Sequence, residues 1–187
     1  MPVKKTSKET LIVQAMKVFR RQGYHNTSIR DLSKACGIQK AHFYYYFPEG
    51  KTQLMAEILE AVKTFFSDRI AAVAYDESIA PEERLSQMAT KLGRIFLGEQ
   101  GGCIMGNTAL ETIHLAPEPA FMEVVRNYFA ELIEALKFVY ETQFDPETSQ
   151  EFAERAIQDI EGGIMLMQLY KDKKYLLNAL QRMVQVI

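Results

Sequence analysis

Cysteine and histidine are scarce in this sequence, and neither residue type forms a cluster. The 187-residue chain has three histidines and two cysteines, Cys36 and Cys103, which lie far apart and outside any C-x-x-C pattern. That spacing argues against a disulfide framework and against a zinc site. A chain of this length can bury a full core without such cross-links. We therefore expect no metal, no cofactor and a reducing, cytoplasmic compartment.

Long apolar runs and alternating strand patterns are also missing. No apolar run approaches the roughly 20 residues that a membrane span requires, and the run near the N-terminus is broken by Gln14 and Lys17, unlike a signal peptide. Internal repeats and low-complexity tracts are absent, whereas apolar residues recur at helical spacing along the chain. We predict an all-α protein of about nine helices that does not enter a membrane.

Charge is distributed unevenly, although the net charge is only −2. Residues 1–51 hold ten basic and three acidic side chains, a balance of +7, and the remaining residues hold 12 and 21, a balance of −9. A basic segment favours nucleic acid as a partner because phosphate contacts supply most non-specific affinity. The alternative is a basic surface that only faces solvent.

Residues 27–51 have the pattern of a helix-turn-helix. Ser28 and Asp31 have capping-box spacing, which predicts a short helix that ends before Gly37, a residue able to adopt positive φ. A second helix can restart at Gln39 and stop before Pro48. It carries a dense set of donors and rings: Lys40, His42, Tyr44, Tyr45 and Tyr46.

The other helices are placed by their caps and apolar spacing. The first is expected to begin at Thr6 or Ser7, and its apolar stripe needs cover from the two short helices that follow. Phe43 and Phe47 are assigned to this three-helix core. The remaining helices are predicted over residues 51–74, 81–98, 104–115, 121–144, 145–170 and 175–186.

Five motifs within residues 23–54 resemble the TetR family of bacterial one-component repressors. Departures include Gln39, where Ser often caps the recognition helix, and His42, where Thr is common. The resemblance implies a homodimer whose recognition helices enter successive major grooves of a pseudo-palindrome in double-stranded DNA. It is carried by Gly23-Tyr24, Thr27-Ser28-Ile29-Arg30-Asp31-Leu32, Cys36-Gly37-Ile38, Phe43-Tyr44-Tyr45-Tyr46-Phe47, and Lys51 with Leu54.

The resemblance also implies domains and contacts. Residues 1–51 would be the DNA-binding domain, residues 75–187 the ligand-binding and dimerisation domain, and the helix over 51–74 their connection. For each single contact the alternative is an exposed side chain that touches nothing. Base-edge contacts are implied for Arg30, Gln39, Lys40 and Tyr44, and phosphate contacts for Ser28, His42, Tyr45, Tyr46 and Lys51.

In the second half, the resemblance implies a ligand pocket and a dimer interface through apolar stripes on the last two helices. Residues 102–111 are similar to a G-C-L-x-G-N-x-A-x-E stretch in one branch of the family, which would suit signal transmission; a close helix contact through Gly106 and Ala109 is the alternative. Candidate lining residues, which ordinary core packing explains as well, are Phe65, Met88, Phe96, Met105, Phe121, Met122, Tyr128, Met165 and Met167.

The favoured hypothesis is a ligand-responsive repressor that a small hydrophobic inducer releases from DNA, with the fourth helix spreading the two DNA-binding domains. One alternative is a redox or electrophile sensor through Cys103, although a buried, inert thiol is the preferred interpretation of that residue. Another is an all-α module or enzyme that does not bind DNA. The sequence offers no paired nucleophile and base, so we assign no catalytic residue.

Overall fold

Nine helices occupy the residues that the computed structural model describes, 7–98, 102–116 and 118–187, and no strand occurs in these ranges. The all-α prediction is confirmed. Thr6 lies outside the described residues, and Ser7 caps the first helix by accepting the backbone N–H of Thr10. Outside the fourth helix, the helices are α1 (Lys8–Gln22), α2 (Ile29–Cys36), α3 (Lys40–Tyr46), α5 (Pro81–Gly98), α6 (Ile104–Thr112), α7 (Met122–Tyr140), α8 (Pro146–Tyr170) and α9 (Lys174–Val184).

The fourth helix has three parts, which we label together as α4. It begins as an α-helix, Lys51–Phe66, passes through a π-helical turn, Ser67–Ala71, and ends in one α-helical turn, Ala72–Ala74. Its extent matches the predicted 51–74. The π turn has no signal in the sequence, since neither glycine nor proline occurs there. Among the described residues, no helix has both the length and the apolar character needed to cross a membrane.

Contacts divide the chain into two compact units. Among the described residues, the N-terminal unit comprises those up to Val62 and those from Ile104 to Val125, and the C-terminal unit comprises those from Lys63 to Cys103 and from Arg126 to Ile187. Helix α6 thus packs with the helix-turn-helix, although it lies beyond residue 75 in the chain. A division made from chain position alone could not reveal this, because the contact joins segments far apart in sequence.

Apolar side chains from four helices build the core of the N-terminal unit. Leu11 of α1, Leu32 of α2 and Leu54 of α4 are fully buried. Phe43 and Phe47, one turn apart at the end of α3, are 0% and 1% exposed, and their ring centroids are 5.3 Å apart. This burial confirms that both phenylalanines belong to the core, as the sequence predicted.

The two ends of α2 follow from its caps. The Ser28 hydroxyl accepts the backbone N–H of Asp31 at 3.2 Å, and the Asp31 carboxylate accepts the backbone N–H of Ser28 at 3.0 Å, which completes a capping box. At the other end Gly37 has φ 65°, and Ile38 N–H donates to the carbonyl of Ser33 at 3.0 Å. This closure turns the chain sharply into α3.

Helices α8 and α9 pack closely in the C-terminal unit. Asp145 caps α8 by accepting two backbone N–H groups of its first turn, at 3.0 and 3.1 Å, and Pro146 takes the first helical position, as predicted. Where α8 meets α9, a Cβ added to Gly163 would lie 3.0 Å from the carbonyl oxygen of Tyr175. Glycine at this position therefore permits the close approach of the two helices.

The apolar stripes that we predicted for a dimer interface are largely used inside the chain. Because α8 and α9 pack against each other, one stripe of each helix is covered by their own contact. Two members of the predicted stripes are exposed, Tyr170 at 60% and Leu177 at 48%, and so are Met165 and Leu169 of α8, outside the predicted stripe, at 60% and 66%. The buried members of the predicted stripes are Ala156, Ile160, Gly163, Ile164, Met167, Leu176, Leu180 and Met183.

Candidate nucleic-acid interface and effector cavity

Helix α3 presents polar and aromatic side chains on the surface that its phenylalanines leave free. Tyr45 is 79% exposed and Tyr44 is 43% exposed, whereas Tyr46 is half-buried with its ring edge toward Tyr45. Such side chains on a short second helix can reach base edges and phosphates in a major groove. The exposed residues of α3 and its N-cap are Gln39, Lys40, Ala41, His42, Tyr44 and Tyr45.

Several positive side chains of the N-terminal unit are exposed to solvent. Arg30, the second residue of α2, is exposed, as are four other cations of the first three helices. They attract a polyanion regardless of its base sequence. The additional exposed cations are Lys17, Arg21, Lys34 and Lys40.

Two of the predicted phosphate-contacting residues already have partners within the chain. The Ser28 hydroxyl donates to the Asp31 carboxylate at 2.5 Å as part of the α2 cap. The Lys51 ammonium donates to the backbone carbonyl of Tyr24 at 2.7 Å and lies 4.3 Å from the centroid of the Tyr24 ring. Desolvation lowers the pKa of Lys51, and the charge of Glu111 partly opposes this shift. Both side chains therefore hold the fold of the helix-turn-helix.

Glu111, at the end of α6, touches the same loop but was not singled out from the sequence. Its carboxylate accepts the backbone N–H of Tyr24 at 2.6 Å and that of His25 at 3.2 Å. These two hydrogen bonds join residues that are separated by 87 and 86 positions in the sequence. Only the acidic end of the G-C-L-x-G-N-x-A-x-E similarity hinted at a role for this residue.

The C-terminal unit contains a narrow apolar cavity with one acidic residue in its wall. Its free volume is about 10 Å³, roughly the space of a single water molecule. Glu161 is half-buried there, and desolvation raises the pKa of its carboxyl, while a hydrogen bond with Cys103 acts in the opposite direction. The wall is formed by Ile70, Met88, Leu92, Phe96, Tyr128, Phe129, Leu132, Leu136, Ile157, Ile160 and Glu161.

Three of the predicted lining residues, Met88, Phe96 and Tyr128, border this cavity. Phe65 is 48% exposed, and its neighbour Phe66 points inward instead, with its ring 5.1 Å from that of Tyr128. Adjacent residues of an α-helix point in different directions, so only one of these two phenylalanines can face the interior.

The other predicted lining residues lie elsewhere. Phe121 packs against Tyr24 with ring centroids 5.4 Å apart, and Met122 accepts a hydrogen bond from the Thr112 hydroxyl at 3.0 Å, both within the N-terminal unit. Met105 is fully buried in that unit as well. Met165 is exposed, and Met167 is buried on α8 outside the cavity wall. Periodicity identified these residues as apolar but could not say which space they fill.

Cys103 has little access to solvent. It is 4% exposed and is hydrogen-bonded to the carboxyl of Glu161. A sensor cysteine needs an exposed, electropositive setting that stabilises the thiolate. Burial beside an acidic group disfavours that use.

Comparisons with known proteins agree with this architecture. The family model described as bacterial regulatory proteins, tetR family, matches residues 11–58, and the model of the LmrA/YxaF-like transcriptional regulator C-terminal domain matches residues 81–182. The HTH-type transcriptional regulator YxaF of Bacillus subtilis (strain 168) is 31% identical over 176 residues, covering 91% of this chain and 90% of YxaF. LmrA of the same strain is 28% identical over 177 residues, 92% of either chain. A TetR transcriptional regulator from Legionella pneumophila matches with a TM-score of 0.85 and 25% identity over 100% of both chains.

The matched family and relatives are DNA-binding transcriptional regulators, not enzymes. The chain belongs to the TetR family of bacterial transcriptional regulators, and its C-terminal half is of the LmrA/YxaF-like type. Regulators of this family bind DNA and small-molecule ligands and are dimers. The resemblance inferred from residues 23–54 is confirmed.

Proposed function

We propose that this regulator binds a pseudo-palindromic operator as a homodimer, represses transcription from it, and leaves the DNA when a small hydrophobic molecule binds the C-terminal unit. The observation that carries the DNA part is the surface of α3. Its polar and aromatic residues project from a helix that Phe43 and Phe47 anchor in the core. Exposed polar and aromatic side chains on such a helix are available to bind DNA.

Within this proposal the recognition surface has two kinds of contact. Gln39, Lys40 and Tyr44 on α3 and Arg30 on α2 are proposed to face base edges, where Arg or Lys suits guanine and Gln suits adenine. His42, Tyr45 and Tyr46 are proposed to face phosphates, which set the register of the helix in the groove. Ser28 and Lys51 contribute mainly by holding the domain, since their polar atoms are bonded to Asp31 and Tyr24.

The exposed apolar residues of α8 support dimerisation through the last two helices. Gly162, Met165 and Leu169 are spaced i, i+3 and i+7, so they share one face of the helix. Met165 and Leu169 are 60% and 66% exposed, and a Cβ added to Gly162 would meet nothing within 4 Å. A face of this kind, with a small residue about one turn before two large apolar ones, fits the equivalent face of a second copy. The dimer would place two copies of α3 one DNA turn apart, about 34–36 Å.

The cavity supports the ligand part of the proposal. Ten of its eleven lining residues are apolar or aromatic, so it favours a hydrophobic molecule. At about 10 Å³ it is too small for such a molecule, so a ligand must move its walls. Met88 is a flexible wall residue, and Ile70 belongs to the π turn of α4, where a helix can change its register. Binding to an opened form shifts the population away from the DNA-binding form only if the ligand prefers the opened form.

The experiment that tests this function is selection of bound sites from random double-stranded DNA. We expect an enriched inverted repeat whose affinity falls with salt, with a slope of about −0.9 per neutralised phosphate on logarithmic axes. A screen of hydrophobic compounds for release of the selected site then tests the ligand part. Glu161→Gln should change the response to an active compound while the affinity of the free protein for DNA stays the same. Failure to enrich any inverted repeat would contradict the proposal.

A further inference from the structure

The loop between α1 and α2 is hydrogen-bonded to the carboxylate of Glu111 from α6, and we call this contact the seat of the loop. Oε2 of Glu111 accepts two consecutive backbone N–H groups, those of Tyr24 at 2.6 Å and His25 at 3.2 Å. The His25 ring returns the contact, because its Nε2 lies 2.9 Å from the backbone carbonyl oxygen of Glu111. Hydrogen bonds from N–H groups to a carboxylate are stronger than those between neutral groups.

Gly23 shows how closely this seat is fitted. Its φ of 76° is a conformation that favours glycine. A Cβ added to Gly23 would overlap one carboxylate oxygen of Glu111 and lie 2.7 Å from the other. A side chain at this position would therefore collide with the seat as well as strain the backbone. The glycine and the glutamate are complementary parts of one contact.

The seated loop in turn fixes three elements of the DNA-binding domain. Its residue Tyr24 is held from α4, since the Lys51 ammonium donates to the Tyr24 carbonyl at 2.7 Å and the Tyr24 hydroxyl lies 3.1 Å from the Thr52 hydroxyl. Thr27 donates its hydroxyl proton to the carbonyl of Gly23 at 2.5 Å, directly before the Ser28 cap of α2. The end of α1, the start of α2 and the foot of α4 thus meet at the loop that Glu111 holds.

We propose that Glu111 is a positioning residue for DNA recognition. Its carboxylate holds the loop from Gly23 to His25 so that α2 and α3 are presented to the operator in one arrangement. The proposal rests on the proposed function for its DNA readout, but the seat itself exists without DNA. The Glu111 carboxylate accepts backbone N–H groups of its own chain, so we assign it no contact with a base.

Loss of the Glu111 charge and loss of the Glu111 hydrogen bonds have opposite predicted effects on DNA affinity, so the proposal can be tested. Deleting a negative charge from a basic DNA-binding unit strengthens its attraction to phosphates. Deleting the seat loosens the recognition helices and weakens binding. The two effects separate in a pair of variants, because Glu111→Gln removes the charge but keeps an oxygen that accepts an N–H, whereas Glu111→Ala removes both.

The experiment measures operator affinity and amide hydrogen exchange for the full chain and its variants. We expect Glu111→Ala to bind the selected operator roughly tenfold more weakly, the equivalent of about one hydrogen bond to a charged group. Glu111→Gln, which loses the charge but keeps an acceptor for the loop, should bind no more weakly than the parent. Two controls should bind like the parent or slightly more tightly: Leu110→Ala, an exposed neighbour on α6, and Glu123→Ala, an exposed acid of the same unit.

Amide exchange separates this inference from the proposed function. Without DNA, Glu111→Ala should expose the N–H groups of Tyr24 and His25 to faster exchange, and Glu111→Gln should keep most of the Tyr24 protection. Unchanged exchange at both amides in Glu111→Ala would overturn the inference whether or not the chain binds DNA. Operator binding by Glu111→Ala that equals or exceeds that of Glu111→Gln would also overturn it. Absence of operator binding by the parent would instead contradict the proposed function.

Discussion

The ammonium of Lys51 lies 2.7 Å from the carbonyl oxygen of Tyr24 and 4.3 Å from the centroid of its ring, so one lysine holds both the backbone and the aromatic face of one tyrosine. This pair joins the foot of α4 to the loop that precedes α2. The lowered pKa of Lys51 reflects the desolvation that this position imposes. A lysine expected from family resemblance to contact phosphate is thus engaged inside the domain.

Replacing Lys51 by methionine should therefore destabilise the protein. The variant keeps the alkyl chain but loses a charged donor and the cation–π contact, and we expect a loss of about 1–2 kcal/mol in the free energy of unfolding after allowance for partial exposure. Urea denaturation followed by circular dichroism measures it. An unchanged midpoint together with weaker operator binding would show that Lys51 serves DNA and not the fold.

Replacing Ser28 by alanine should lower stability in a pH-dependent way. Hydrogen bonds from the Ser28 side chain and backbone lower the pKa of Asp31. The capping box therefore contributes stability that is present above the ordinary aspartate pKa of 3.8 and is lost as the pH falls through the lowered pKa of the folded state. The difference in urea midpoint between the parent and Ser28→Ala should shrink on acidification. A difference that grows in acid would contradict the assigned cap.

Two adjacent glycines of α8 should respond differently to alanine. Gly163→Ala brings a Cβ to 3.0 Å from the Tyr175 carbonyl and 3.2 Å from the Ala179 Cβ, and we expect a loss of about 1–3 kcal/mol from overpacking. Gly162→Ala meets nothing within 4 Å in the chain, and alanine favours the helix by roughly 1 kcal/mol. Thermal unfolding of both variants checks the order. Equal destabilisation by both would show that the close approach of α9 is not what Gly163 provides.

A charge on the exposed face of α8 should break the dimer. Leu169 is 66% exposed, and Leu169→Glu would bury an unpaired carboxylate in the proposed interface, which is strongly unfavourable. Light scattering should then report monomer, with helical content retained because the side chain is largely exposed in the single chain. Thr90→Glu, at an exposed position of α5, is the matched control and should stay dimeric. A dimeric Leu169→Glu would move the interface elsewhere.

Local chemistry made the helix-turn-helix predictable from the sequence. Ser28, Gly37 and Pro48 mark the helix ends through caps and backbone restrictions that act within a few residues. The burial of Phe43 and Phe47 follows from their i, i+4 spacing opposite polar neighbours. A local cap also made α8 predictable from Asp145 to Tyr170, because Asp145 and Pro146 mark its start.

Features set by long-range packing could not be predicted in the same way. The Glu111 contact spans 87 residues and leaves no periodic mark. The π turn of α4 and the acid in the cavity wall depend on how helices meet. An apolar stripe on α8 looks the same in sequence whether α9 or a second copy covers it, and so the predicted dimer residues proved to be mostly internal.

The measurement that tests the central claim most directly is operator affinity of the double variant Lys40→Ala/Tyr44→Ala. Both side chains are exposed on α3, so helical content and dimerisation should match the parent, as should those of the control Lys173→Ala, an exposed cation outside the N-terminal unit. We predict that affinity for the selected operator falls by roughly 100-fold or more, toward non-specific binding, while the control binds normally. A double variant that binds the operator with unchanged affinity would contradict the assignment of α3 as the recognition helix.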